Sequence, residues 1–425
     1  MKDFEILTNI TTHENCRVCG HSPLEQIMSL GFQYLINFLE SPNEKLSAAP
    51  LELVLCNEKN GGCGLLQLKH TVPGELLFRK FWYKSGVNAT MKKELSDIVS
   101  VTEKLVDLKS NDIVLDIGAN DGTLLRFYTI KGLKLVGFEP ATNLMEEAKI
   151  GITTMINDFF NYEKFKEEFG AEKAKVITSV SMFYDLEEPN KFVRDIVKIL
   201  DKNGVWIIQM NYLMTMIENN AFDNIVHEHL EYYSLKSLEY LINKHGLAIF
   251  DVELNEINGG SCRVYVKHRD CDKYPITTRL KKLREKEELA GLNNPETYHL
   301  FANRIKELKN KTVDFIKKEV QKGKKVYVYG ASTRGNTLLQ FYEMNNNLIK
   351  SAVDRNPMKW GKKIVGTDIP IISEEQGRNE NPEYFLVLPW YFINEFKVRE
   401  REYLEKGGKF IVPLPNFYMV DRKEN

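Results

Sequence analysis

The sequence has 425 residues, 43% of them hydrophobic and 28% charged, with a formal net charge of -1. A chain this long exceeds one ordinary core and calls for two or three domains. The balanced charge removes the electrostatic case for a nucleic-acid partner or an anionic membrane. No apolar run approaches the about 18 residues of a membrane span. A cytoplasmic location is expected, because MKDFEILTNI lacks an apolar signal core.

Residues 1–72 read as a short-stranded unit holding four of the six cysteines. Cys16 and Cys19 form a C-x-x-C knuckle followed by Gly20, and Cys56 and Cys63 form a wider pair, CNEKNGGC, followed by Gly64. Thiolates on tight turns can face one ion, and four sulfurs make a closed structural zinc site with no position for chemistry. The second spacing is wide, and Asn60-Gly61-Gly62 can loop Cys63 back. His13, His21 and His70 are the alternative ligands.

Residues 73–275 alternate apolar strands with charged, helix-period segments. The strands are expected at Asp112–Ile117, Lys134–Phe138, Lys175–Val180, Val205–Met210 and Arg263–Val266. Such alternation predicts a mostly parallel sheet covered by helices. In VLDIGANDGTLL an apolar strand ends in Asp116, and Gly118 and Gly122 then let backbone approach a ligand. The G-x-x-x-G spacing is not the pyrophosphate-binding G-x-G-x-x-G. Acids at Asp116 and Asp121 suit a cationic sulfonium ligand that also carries an ammonium group. Glu139, ending the next strand, can accept both ribose hydroxyls. Asp158 can accept an adenine amino group while Phe159 packs on the ring. This order of parts resembles class I methyltransferases, whose methyl donor is S-adenosylmethionine (SAM). Further on, AFDNIVHEHLEYYSL concentrates His227, Glu228 and His229, groups able to move protons. H-E-H lacks the spacing that puts two histidines on one helix face for a metal.

Residues 276–425 begin with a charged helical connection over 276–320, broken at Asn293-Asn294-Pro295. A second α/β unit then opens at KKVYVYGASTRGN, with strands expected at Lys350–Asp354, Tyr384–Leu388 and Lys409–Pro413. Its turn, Gly330 to Gly335, is a weak nucleotide-binding signal. Arg263 and Arg334 are candidate diphosphate partners, since a guanidinium grips phosphate bidentately.

Across all three regions the chain resembles the sugar C-methyltransferases that act on nucleotide-linked 4-keto sugars. The residues carrying the likeness are CRVCG and PLELVLC…CGLLQL, then HEHLEYYSL and NGGSCRVYV, then YGASTRGNTLL, VDRNPMKWGKKIVGTDIPI and VLPW. The resemblance implies a small zinc-binding domain, a central class I (Rossmann-like) SAM domain and a C-terminal Rossmann-like α/β domain closing over a nucleotide sugar. It implies that His229 is the base that forms an enolate, that Glu228 is its acidic partner, and that Tyr83 in FWYKSGVNATM lines the pocket. It places Asn258 and Tyr184 on the substrate side. Three departures stand out: Val226 where relatives have tyrosine, Tyr184 where they often have histidine, and Tyr391 in place of the asparagine of LPWN. The competing readings are O- or N-methylation of a sugar or small metabolite, an NAD-dependent sugar oxidoreductase, and a non-catalytic sugar-nucleotide binding protein. The sequence leaves the sugar, its nucleotide and the oligomeric state open.

Overall fold

A computed structural model describes residues 5–35, 38–39, 47–81 and 83–422. Met1 to Phe4 of the opening segment and Trp82 of FWYKSGVNATM lie outside the described residues.

Three large sheets are laid along the chain, with two further two-stranded pairs. The central one has seven strands in the spatial order Thr154–Ile156, Lys134–Phe138, Ile113–Ile117, Ala174–Val180, Leu200–Asn211, Ser261–His268, Leu247–Asn255. The first five run parallel, and Ser261–His268 runs antiparallel to both of its neighbours. Strand order reverses between Ile113–Ile117 and Ala174–Val180, which opens a crevice at their carboxyl ends. The five expected strands are present. Thr154–Ile156 and Leu247–Asn255 are additional.

Helices follow from their caps and apolar faces. Asn88 accepts from the Thr90 and Met91 amides, and Met91, Leu95, Ile98, Val99 and Thr102 then bury one stripe of the helix Ala89–Leu105. Asn294 caps Pro295–Gln321, with Pro295 in the first turn, so the connecting helices break where Asn-Asn-Pro stands. Glu287 of Thr278–Leu289 is 6% exposed and accepts from Tyr212 Oη at 2.5 Å and from the amides of Leu235 and Lys236. It thereby fastens the connection to the central unit.

The N-terminal sheet differs from the expected short-stranded unit. Glu25–Tyr34 has 10 residues and Ser47–Leu55 has 9. Its last strand, Glu231–Tyr232, comes from the HEHLEYYSL segment and pairs antiparallel with Leu66–Gln67. The C-terminal sheet runs Ile371–Ser373, Ala352–Asp354, Val326–Tyr329, Tyr384–Val387, Lys409–Val412, Tyr418–Val420, with only the last strand antiparallel. One apolar core runs through all three units. Among the described residues no helix is long and apolar enough to cross a membrane.

Removing the Glu287 carboxylate strands three donors, two of them backbone amides. Glu287→Ala is expected to lower the urea midpoint by the equivalent of about 2–3 kcal/mol, measured by circular dichroism.

Candidate active site and metal site

Cys16, Cys19, Cys56 and Cys63 converge, with all four sulfurs within 4.8 Å of one another. Cys16–Cys63 and Cys19–Cys56 Sγ separations are 3.6 and 3.4 Å. Four sulfurs around zinc at about 2.3 Å stand roughly 3.8 Å apart, so the cluster fits the ion with small adjustments. The wide second pair closes because Asn57 caps a single helical turn and Gly61 takes φ 89°. A Cβ on Gly62 would lie 2.6 Å from Cys56 Sγ, so only glycine fits there. Among the described residues no histidine joins the cluster. His13 Nε2 instead meets Thr71 Oγ1 at 2.9 Å. Zinc analysis of reduced, freshly purified protein is expected to give one ion per chain, and Cys56→Ser to give well below one.

The crevice of the central sheet carries the glycine turn. Gly118 and Gly122 have φ of 72° and 76°, and added Cβ atoms would meet Met182 and the Ala148 carbonyl. Glu139, 6% exposed, accepts from the Asn120 amide at 2.8 Å through one oxygen and from the Ala141 amide at 2.7 Å through the other. Burial raises its carboxyl above the usual range. Asp116 lies beneath the turn, accepts from Thr178 Oγ1 at 2.6 Å, and is pushed up to about 7 by burial.

Two acids are committed differently from the expectation. Asp121 is fully buried and accepts from the Gly86 and Thr123 amides at 2.7 and 3.1 Å, so it serves the chain rather than a ligand. Asp158 is held by Arg79 at 3.1 Å and Lys164 at 2.6 Å, and the same guanidinium lies 5.0 Å over the Phe159 ring. Residues 83–86 strap the turn down. The Asn120 side chain accepts from the Ser85 amide and donates to the Tyr83 carbonyl, and Lys84 pairs with Glu147. The Tyr83 ring, 42% exposed, sits where partial burial, Asp121 and Tyr391 push its phenol up to about 12.

The H-E-H segment separates its two histidines. His229 Nδ1 is 2.8 Å from the carbonyl of Asn224. A carbonyl only accepts, so Nδ1 carries the hydrogen and Nε2 keeps its lone pair. The ring meets Tyr184 edge to face at 4.5 Å, in a pocket shared with Asn211, Tyr212 and Tyr232. Burial, opposed by the Asn224 bond and aided by Arg334, holds His229 down to about 4. Glu228 is pushed up to about 7 by burial. His227 faces away, with Nε2 donating to the Ala49 carbonyl of the N-terminal sheet at 3.1 Å. Composition and spacing did not separate the pair; the family resemblance pointed to His229.

The C-terminal unit supplies the opposite wall. Arg334 Nε and Nη2 reach Asp223 Oδ2 at 3.0 and 2.8 Å, and Nη1 donates to the Asn258 carbonyl at 2.6 Å. Asn258 therefore contributes backbone, from a left-handed φ of 56°. The guanidinium lies 4.7 Å from the Tyr391 ring centre, and Trp390 Nε1 donates to the same Asp223 oxygen. Asp223, Asn224 and Trp390 were not singled out from sequence. The first two stand just before HEH and were the available signal. Asp223 Oδ1, Asn211 Oδ1 and both amide atoms of Asn336 are buried without hydrogen bonds.

Arg263 is not brought here. It is 2% exposed and bonded to Gln209, Glu94, Asp97 and Glu253, which leaves no free fork for a diphosphate. The C-terminal glycine turn is likewise occupied. A Cβ on Gly330 would fall 2.6 Å from the Pro389 ring, and Asp354 is held by the Ala331 amide and Lys359, each at 3.0 Å. That packing disfavours a dinucleotide there.

Models of known families match three successive stretches: a zinc binding domain over residues 16–78, a methyltransferase domain over 87–252, and a C-methyltransferase C-terminal domain over 256–415. The C-methyltransferase NovU of Streptomyces niveus is 29% identical over 408 residues, covering 95% of this chain and 96% of that protein. Two solved structures are also similar. The mitomycin 7-O-methyltransferase MmcR has 16% identity and a TM-score of 0.34, over 43% of this chain and 55% of its own. A SAM-dependent methyltransferase from Clostridium acetobutylicum has 15% identity and a TM-score of 0.32, over 41% and 91%. The chain is a SAM-dependent methyltransferase with a structural zinc site, matched in succession by zinc-binding, methyltransferase and C-methyltransferase C-terminal domain models.

Proposed function

We propose that the chain methylates the carbon beside the ketone of a nucleotide-linked deoxy keto sugar, through an enolate. The observation that carries this reading is the His229 imidazole, whose Nδ1 is anchored on Asn224 so that the Nε2 lone pair is free inside a partly exposed pocket. Nε2 takes the proton on the carbon next to the ketone, and the C–H electron pair moves into the enolate. When bound, SAM supplies the electrophilic methyl group that this carbon receives.

Environment pushes the two neighbouring groups in opposite directions, which supports reading one as base and the other as acid. His229, held near 4, is a free base at neutral pH, whereas Glu228, near 7, is partly a carboxylic acid able to donate to the enolate oxygen. That donor stands in for the tyrosine replaced by Val226. The unpaired atoms of Asp223, Asn211 and Asn336 are suited to sugar hydroxyls, and Arg334, Tyr184 and the Asn258 turn to flanking the substrate. On the cofactor side, Glu139 takes the ribose, and Gly118 and Gly122 give it room. Adenine would displace Arg79 from Asp158 and Phe159, and Tyr83 borders the mouth. The relative named as a C-methyltransferase supports carbon as the acceptor.

Incubation with SAM and a panel of 4-keto sugar nucleotides is expected to add one methyl by mass spectrometry, on carbon by NMR. A methyl on oxygen or nitrogen would instead establish the competing reading. His229→Asn should cost about 100- to 10,000-fold in turnover while keeping SAM affinity, and should stop exchange of the sugar's α-hydrogen with solvent deuterium. A requirement for protonated Glu228 and neutral His229 predicts kcat/KM falling above pH of about 7 and below about 4. Glu228→Gln, which always donates, should lose the alkaline limb. Glu139→Ala should weaken SAM at least about tenfold by calorimetry, since each bond to a charged acceptor contributes about 1.5–3 kcal/mol.

A further inference from the structure

The segment bearing His229 is gripped on both sides by the N-terminal unit. Upstream, His227 Nε2 donates to the Ala49 carbonyl at 3.1 Å. Downstream, the Leu68 amide donates to the Leu230 carbonyl at 2.9 Å, and Glu231 and Tyr232 pair with Gln67 and Leu66. Glu228 and His229 are the two residues between these anchors, and both are partly exposed while their neighbours are buried.

Arg17, inside the C-x-x-C knuckle, reaches the same place. Its amide and Nη1 donate to Gln67 Oε1 at 3.2 and 3.0 Å, Nη1 also donates to the Leu68 carbonyl, and Nη2 donates to Thr71 Oγ1 at 2.7 Å. Its Nε lies 3.9 Å from Glu231 Oε1, with the two side chains 1% and 0% exposed. The knuckle thus holds the backbone and side chains of the strand that anchors the segment, and faces the charge on the segment itself. Stability alone does not call for this arrangement, because a buried ion pair can often be replaced by apolar residues of similar size at no cost. A general base does call for it, since a displacement of about 1 Å can cost on the order of 100-fold in rate.

We propose that Arg17 and Glu231 are positioning residues for His229, so that the zinc knuckle sets the aim of the catalytic base across the strand pair Leu66–Leu68 and Glu231–Tyr232. The proposal rests on the reading of His229 as the base.

Either single truncation leaves a buried charge unpaired and can unfold the chain, so the test is the apolar double variant Arg17→Met, Glu231→Leu in the full-length protein. It should keep its zinc and bind SAM within about twofold. Turnover of the panel sugar nucleotide that the unmodified chain methylates should fall about 10- to 100-fold with KM little changed. Added to His229→Asn, the pair should cause no further loss, because it acts through that ring. Unchanged turnover, losses that multiply with His229→Asn, or a parallel loss of zinc or SAM affinity would overturn the proposal. Failure of the base reading looks different: His229→Asn alone would then leave deuterium exchange at its normal rate. If no panel member reacts, NMR of the His229 ring decides. Its ring resonances should shift in the double variant as the ring is re-aimed, and unmoved resonances would overturn the proposal.

Discussion

The buried ion pair of Asp223 with Arg334 ties the central unit to the C-terminal unit beside the candidate site. Asp223 is 1% exposed and sits six residues before His229, whereas Arg334 lies in the first turn of the helix Thr333–Phe341 of the C-terminal unit. Breaking such a pair from one side typically costs about 3–5 kcal/mol, because the remaining charge stays out of water. Trp390 donates to the same carboxylate and Tyr391 stacks on the same guanidinium, so the LPWY loop depends on the pair for its position. Phe222, next to Asp223, packs on Phe341 and Tyr342 of the C-terminal helix end. The charge pair sets direction and the rings supply area.

Around that pair the polar groups fall into two kinds. Some are spent on the chain: Asp121 on the strap, Arg263 on three carboxylates, Asp354 on its own turn. Others are buried and unspent, such as both amide atoms of Asn336. Native interiors rarely leave such atoms without partners. Asn211 is one of them, and it lines the same pocket as His229.

Local chemistry was legible in the sequence, and long-range pairing was not. The two cysteine pairs, the positive-φ glycines after Asp116 and the Asn-Asn-Pro break each depend on residues within a few positions, and each is present in the fold. Thr154–Ile156 is three residues long and Leu247–Asn255 is interrupted by Asp251 and Glu253, so neither offered a clear strand pattern. Arg263 looked free because its carboxylate partners Glu94 and Asp97 lie more than 160 positions earlier in the chain. Spacing alone likewise did not separate the two histidines of H-E-H, which only the resemblance distinguished. The carbonyl that turns His227 away belongs to Ala49, 178 positions earlier. The expected short strands of the first region were instead long, because Glu25–Tyr34 and Ser47–Leu55 pair with each other through two irregularities that break the alternation.

The borrowed strand Glu231–Tyr232 bears on how the chain is made. Leu66–Leu68 is fully buried in the finished protein, yet its outer edge is covered only by residues that leave the ribosome more than 160 positions later. Until then the zinc-bearing unit carries an open, apolar sheet edge of the kind that pairs with other chains. A fragment ending before residue 231 would keep that strand edge unpaired, which favours association with other chains.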